Sequence, residues 1–128
     1  MTLQTITNFS RYMVDDFGSL YRITTITDDA IKLNRISDRV GQSGYVYNTL
    51  IADDGRKHCV QRGYLMLLAF KFDSYFDGAE CDHIDHDTTN NDVTNLRWLS
   101  HRDNCKHRRF RGREKDRMLY LIYDDGSV

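Results

Sequence analysis

"DHIDHDTTNNDVTNLRWLSHRDN", Asp82 to Asn104, is the stretch whose reading decides the fold of this chain. It opens with five acidic or imidazole side chains in the six residues Asp82 to Asp87, then runs into small amides and hydroxyls. Such crowding suits a metal site or a polar surface loop, and the flanking pattern separates the two parts. Ala79 to Ile84 reads as a short strand, residues 85–95 as a long polar loop, and Leu96 to Ser100 as a second strand, with Leu96 and Trp98 on one face by strand alternation. Ser100 suits a helix N-cap, and Asp103 three residues later completes a capping-box-like pair. The helix that begins there is expected to stop at Gly112. The reading is strand, loop, strand, helix over residues 76–112.

That arrangement says what the polar groups can do. Asp82 and His83 sit side by side at a strand end, where neighbouring side chains can diverge around one cavity. Asn104 falls in the first turn of the helix, near the positive end of its dipole. If strand and helix pack, Asp82 and Asn104 approach each other from two sides. A carboxylate and an amide carbonyl are hard oxygen ligands, which favours Mg2+ or a similar cation over zinc and leaves room for water and phosphate oxygens. His83 is then a base, because imidazole takes up a proton near neutral pH. Asn95 can pin the loop through hydrogen bonds to backbone. Lys106, His107, Arg108, Arg109, Arg111 and Arg113 are the candidate phosphate contacts along the basic helix and beyond it.

His83, Asn95 and Asn104 are 12 and 9 positions apart. With the quoted stretch around them they resemble the HNH endonuclease family. The similarity is greatest to its phage and intron-encoded homing branch, whose usual form is D-H-I-D-G-N-x-x-N-N-x-x-x-N-L-R-W…N. The resemblance implies Asp82 and Asn104 as metal ligands, His83 as general base and Asn95 as the residue that fixes the loop. It also implies Mg2+ or another divalent ion such as Mn2+ as cofactor. Upstream, "YMVDDFGSLYR", Tyr12 to Arg22, is similar to the Y-x-V-S-N-F-G-x-V-x-R segment that precedes such units. The implied activity is metal-dependent hydrolysis of phosphodiester bonds, nicking or cleaving double-stranded DNA to 5′-phosphate and 3′-hydroxyl ends, in a homing role. The alternative is a non-catalytic DNA-binding module that keeps the fold. Two departures stand out: His86 and Asp87 occupy the usual Gly-Asn positions, and Gly63-Tyr64 replaces a common His-Arg pair.

The remaining sequence bounds this reading. The chain has 128 residues, enough for one domain or one domain with an extension. Its net charge of -1 argues against a uniformly basic binder, but the charge is uneven. Asp73 to Asp92 holds seven acids and no Lys or Arg, whereas Arg102 to Arg117 holds eight Lys or Arg against three acids. That order suggests a cation site beside a polyanion site. No apolar run approaches the roughly 20 residues of a membrane span, and no secretory signal pattern opens the chain, so a cytoplasmic protein is expected. Three cysteines make no disulfide framework. Cys81, His83, Cys105 and His107 form two C-x-H pairs, not the usual spacing of structural zinc, so structural zinc is not expected.

The overall expectation is an α+β fold, in which the ββα-metal unit is preceded by a small antiparallel hairpin or sheet and one short helix. Residues 17–26 and 44–51 read as strands, Asp54-Gly55 as a hairpin turn, and Arg56 to Gln61 as the returning strand. The following helix would carry Leu65, Leu68 and Phe72 on one face. Residues 1–75 are thus a scaffold with possible DNA contacts, 76–112 the nuclease unit, and 113–128 a C-terminal strand resembling the start of a DNA-binding module. A monomer with one site would nick; a homodimer could cut both strands.

Overall fold

One turn organises the N-terminal half. Leu3–Thr5 (β1), Tyr12–Asp15 (β2), Leu20–Ile26 (β3) and Ile31–Ile36 (β4) form an antiparallel sheet in the order β1-β2-β3-β4. Between β2 and β3, buried Asp15 accepts from the backbone N–H groups of Phe17 and Ser19 and from the Tyr21 hydroxyl. Gly18 closes the turn at φ +99°, a left-handed conformation that a residue with a Cβ rarely adopts. The computed structural model describes residues 1–110, with side chains described as far as His107.

The strand expected at 17–26 therefore starts later, because Phe17 and Gly18 belong to the turn. Its neighbours β1, β2 and β4 were not expected. A second hairpin, Tyr47–Ile51 (β5) and Lys57–Gln61 (β6), follows the Asp54-Gly55 reading, with Gly55 at φ +83°. Arg62–Phe70 (α1) comes next. Phe72 lies beyond it, in a short 3-10 turn, and is 46% exposed, so it does not share the buried face of Leu65 and Leu68. Helix α1 is instead buried nearly all round, with Leu65, Met66 and Leu67 fully enclosed.

Glu80–His83 (β7) and Leu96–Leu99 (β8) pair antiparallel, with Asp82 opposite Arg97 and His83 opposite Leu96. His101–Phe110 (α2) starts on Ser100, whose Oγ accepts from the Asp103 N–H. Together these make the ββα unit of an α+β fold, as expected. One apolar cluster serves both halves: Val14 and Leu20 from the sheet, Leu65 and Leu68 from α1, and Leu96 and Trp98 from β8. The Trp98 indole N–H donates to Lys71 O, and the Lys71 ammonium donates back to Leu96 O, which ties the end of α1 to β8. Among the described residues no helix is long and apolar enough to cross a membrane. Arg111, Arg113 and the expected strand in 113–128 lie outside the described residues.

Candidate active site

Asp82 is 3% exposed at the end of β7. A buried, unpaired carboxylate would be costly, and its partners are clear. The guanidinium of Arg97, directly across the strand pair, donates from Nε to Asp82 Oδ2 at 2.8 Å. Oδ1 faces His107 Nε2 at 3.5 Å. The neighbouring His83 is 5% exposed, and its Nε2 lies 2.8 Å from Asn91 Oδ1. An amide oxygen only accepts, so with Asn91 in this orientation Nε2 is the donor, and in the neutral imidazole Nδ1 is the basic nitrogen. The edge of the Tyr45 ring packs on the imidazole at a centroid distance of 5.8 Å. Gly63 of α1 also lies against the ring: a Cβ there would be 3.2 Å from both Cε1 and Nε2 of His83, and 2.7 Å from Cys81 Sγ.

Asn104 is buried on α2, where its backbone N–H donates to Ser100 O and its amide N–H donates to Glu80 Oε1 at 2.9 Å. Committing the nitrogen to Glu80 leaves the carbonyl oxygen as the end able to bind a cation. Glu80 Oε2 also lies 2.6 Å from His101 Nδ1. Asp82, His83, Asn104 and His107 line one small recess, with Tyr45, Cys81, His86 and Thr88 completing its wall. A larger groove of about 790 Å3 meets this site at Tyr45, Cys81 and Asn104. Asp53, Asp54 and Glu80 line that groove and, among the described residues, no Lys or Arg does, so its described lining is poorly suited to phosphate.

Asn95 sits at the base of the loop, and both ends of its amide are committed. Its nitrogen donates to Asp85 Oδ1 and to Asn90 O, and its oxygen accepts from the Asp85 N–H. Within the loop, Asp85, Asp87 and Asp92 each accept from the backbone N–H two residues on. These bonds hold the three carboxyls below the ordinary carboxylate range. For Asp87 and Asp92 the bonds from Thr89 and Thr94 are the main cause. For Asp85, burial pushes upward but is outweighed by bonds from Asn90, Asp87 and Asn95. The polar crowding of residues 85–92 is thus largely loop architecture.

That loop is also held from outside. The Val93 N–H donates to Asp16 O, and the Thr88 hydroxyl donates to Gly44 O. A Cβ on Gly18 would meet Asn91 O at 2.7 Å, so the β2–β3 turn lies directly on the backbone of the residue that orients His83. Arg62, 1% exposed, fixes the same turn through Nη1 to Gly18 O and to Asp38, while Nη2 bonds Asn48.

His107 departs from its expected role. It was grouped with the phosphate contacts on the helix surface, but it is 5% exposed, against Asp82. Lys106 is half-buried, and the side chains of Arg108 and Arg109 lie outside the described residues. The sequence reading did not single out Asn91 as a partner of His83 or Arg97 as the partner of Asp82. Strand pairing of positions 82 and 97 needs the register, and the Asn91 contact needs the folded loop. Cys81 is half-buried, and desolvation, with the charge of Asp82, pushes its thiol up to about 12. The Cys105 thiol faces His101 Nε2 at 3.6 Å. Among the described residues no group of three or more His, Cys, Asp or Glu is placed to hold a metal. A cation here would therefore rely on Asp82, at most one further such side chain, and the Asn104 amide.

Residues 74–106 match the family described as HNH endonuclease. The fold extends the likeness beyond these residues. The structure describing DNA binding and cleavage by the HNH homing endonuclease I-HmuI is similar, with a TM-score of 0.67. The match covers 98% of this chain and 68% of that one at 22% identity. The N-terminal sheet that braces the HNH unit is therefore within the shared fold. No curated protein matches the chain.

Proposed function

We propose that this protein is a metal-dependent endonuclease that hydrolyses phosphodiester bonds in double-stranded DNA, of the homing type. The observation that carries the reading is the convergence of Asp82, His83 and Asn104 on one recess, with His83 oriented by Asn91. Asp82 Oδ1 and the Asn104 carbonyl are hard oxygen donors, a set that suits Mg2+ or Mn2+. A divalent ion bound there supplies charge stabilisation at the scissile phosphate. Arg97 would keep Asp82 in place through Oδ2. His83 Nδ1 takes a proton from the attacking water as its oxygen bonds to phosphorus. The bond to the 3′ oxygen breaks, and that oxygen leaves with a proton from solvent, giving 5′-phosphate and 3′-hydroxyl ends. Asn91 and Gly63 keep the imidazole ring in place, and Asn95 keeps the loop closed beneath it.

Exposed basic residues would bring duplex DNA to this site. Lys106 on α2 is a phosphate contact in this reading, and Arg108, Arg109, Arg111 and Arg113 are further candidates from the sequence. The β3–β4 ribbon carries exposed Arg22, Lys32 and Arg35, and a two-stranded ribbon fits the major groove. In this reading residues 1–75 brace the catalytic loop and contact DNA, 76–112 cut, and 113–128 begin a further DNA-binding element. The protein works inside the cell, on the mobile element or phage DNA that homing requires. Supercoiled plasmid carrying the protein's own coding locus, incubated with Mg2+ or EDTA, tests the proposal. Nicking or linearisation that needs Mg2+ and is lost in His83→Ala is expected. Binding without cleavage under every metal tried would instead establish the non-catalytic module.

A further inference from the structure

The metal site implied by the HNH unit uses two oxygen donors, but the recess presents a third group for which that pair has no use. His107 is three residues beyond Asn104 on α2, so both point from one helical face. Its Nε2 lies 3.5 Å from Asp82 Oδ1, and both side chains are almost fully buried. Two donors sharing a metal at about 2.1 Å stand roughly 3.0 Å apart at a right angle and roughly 3.4 Å apart at a tetrahedral angle. The observed separation is close to that of two ligands of one ion. Arg97 occupies the other carboxylate oxygen, so Oδ1 is the oxygen turned toward His107.

A second observation points the same way. His86 stands where the resembled pattern has glycine, and it adopts φ +66°, a left-handed conformation that is free for glycine and uncommon for other residues. Its ring stacks on that of His107 at a centroid distance of 3.9 Å and an interplanar angle of 14°. The backbone is thus held in a disfavoured state at the one place where the side chain fixes the plane of His107. Strain kept by its surroundings marks functional positions. The stacked pair stands beside buried Asp82, and one of its two rings, His86, departs from the resembled sequence pattern.

We propose that His107 is a third protein ligand to the catalytic cation, held in position by the His86 ring. An imidazole added to a carboxylate and an amide oxygen makes a mixed nitrogen–oxygen set, which favours first-row transition ions over Mg2+. The site would bind Co2+, Ni2+ or Zn2+ more tightly than Mg2+ by a margin that depends on His107. This inference rests on the metal site of the proposed function, so the test separates the two.

The full-length protein, without DNA, is titrated with Co2+ and with Mg2+ by calorimetry and by Co2+ absorption. The variants are His107→Gln, His86→Gly and Asp82→Asn. His86→Gly relieves the backbone strain and is expected to fold normally. It should weaken Co2+ binding several-fold. His107→Gln should weaken Co2+ binding ten- to a hundredfold, the usual cost of losing a ligand or its support, and leave Mg2+ binding within about twofold. Asp82→Asn should abolish both. X-ray absorption of wild-type protein with one Co2+ should show imidazole scattering that His107→Gln removes, a readout that needs no activity. Unchanged Co2+ affinity and spectra in His107→Gln, with Asp82→Asn still abolishing binding, would overturn the third ligand and leave the two-oxygen site standing. Equal loss of Mg2+ and Co2+ in His107→Gln would make His107 a positioning residue for Asp82 and also overturn the proposal. Full Co2+ and Mg2+ binding in Asp82→Asn would overturn the site itself.

Discussion

Replacing Gly63 with alanine separates what helix formation favours from what the site needs. Gly63 is the second residue of α1, and alanine in a helix is about 1 kcal/mol better than glycine. The local geometry opposes this. The new methyl would stand 2.7 Å from Cys81 Sγ and 3.2 Å from two ring atoms of His83. Overpacking of that kind costs roughly 1–3 kcal/mol, so the net loss of stability is at most about 2 kcal/mol and the melting temperature falls by only a few degrees. The catalytic effect should be larger. His83 must give by some tenths of an ångström, which disturbs the 2.8 Å contact of the same Nε2 with the Asn91 oxygen. Misplacing a catalytic group on this scale can cost ten- to a hundredfold in rate. Gly63→Ala should therefore nick plasmid at least tenfold more slowly than wild type under single-turnover conditions while still binding it. Combining it with Cys81→Ala should restore the melting temperature without restoring the rate. Wild-type cleavage by Gly63→Ala, with a raised melting temperature, would show that nothing at the site depends on this glycine.

Three further outcomes follow from the same geometry. Asn91→Ala should leave DNA affinity intact and lower the cleavage rate ten- to a hundredfold, because His83 loses the acceptor that sets its orientation; equal rates in a plasmid assay would contradict this. Arg97→Ala leaves Asp82 buried without its strongest partner and should cost about 1–3 kcal/mol in denaturant unfolding, with Mn2+ raising the melting temperature more in the variant than in wild type. The carboxyls of Asp85, Asp87 and Asp92 are depressed in the folded state. Their contribution to loop stability is therefore fully present above the ordinary carboxylate value and is lost as pH falls through the lower folded values. Amide exchange at Asp87, Thr89 and Thr94 should speed up below about pH 4 before the core amides respond, and uniform protection down to global unfolding would refute the loop account.

The parts that were legible in the sequence share one property: their signal is local. Alternation marked β8, the Ser100–Asp103 pair marked the start of α2, and the spacing from His83 to Asn104 marked the ββα unit. The N-terminal sheet was harder to read because its pattern is weak. Strand β1 has only three residues, and β4, "IKLNRI", is mostly exposed, with Ile31 at 53%. A strand with little burial has no face for alternation to reveal. Arg97 and Asn91 act across strands and loops, and no spacing rule reaches them. Two missed residues did carry a signal. Gly63 interrupts an otherwise apolar helical run, and a glycine at such a position usually has a packing reason. His107 follows Asn104 at helical spacing, which already placed it on the site face and not among the surface cations.

The N-terminal strands lie within the shared fold and bear on the proposed site of this chain. A ββα unit could present Asp82 and Asn104 on its own, since β7 and α2 carry them. It could not hold His83. The imidazole is fixed by Asn91, whose backbone lies under the Gly18 turn, and that turn is held by Asp15 and by buried Arg62. Arg62 is followed directly by Gly63, whose missing side chain makes the space in which His83 sits. One short stretch of α1 thus braces the N-terminal turn with one residue and accommodates the proposed base with the next. Under the proposed function the N-terminal sheet supports the site directly, because it helps to hold His83, the proposed base, opposite the proposed metal ligands.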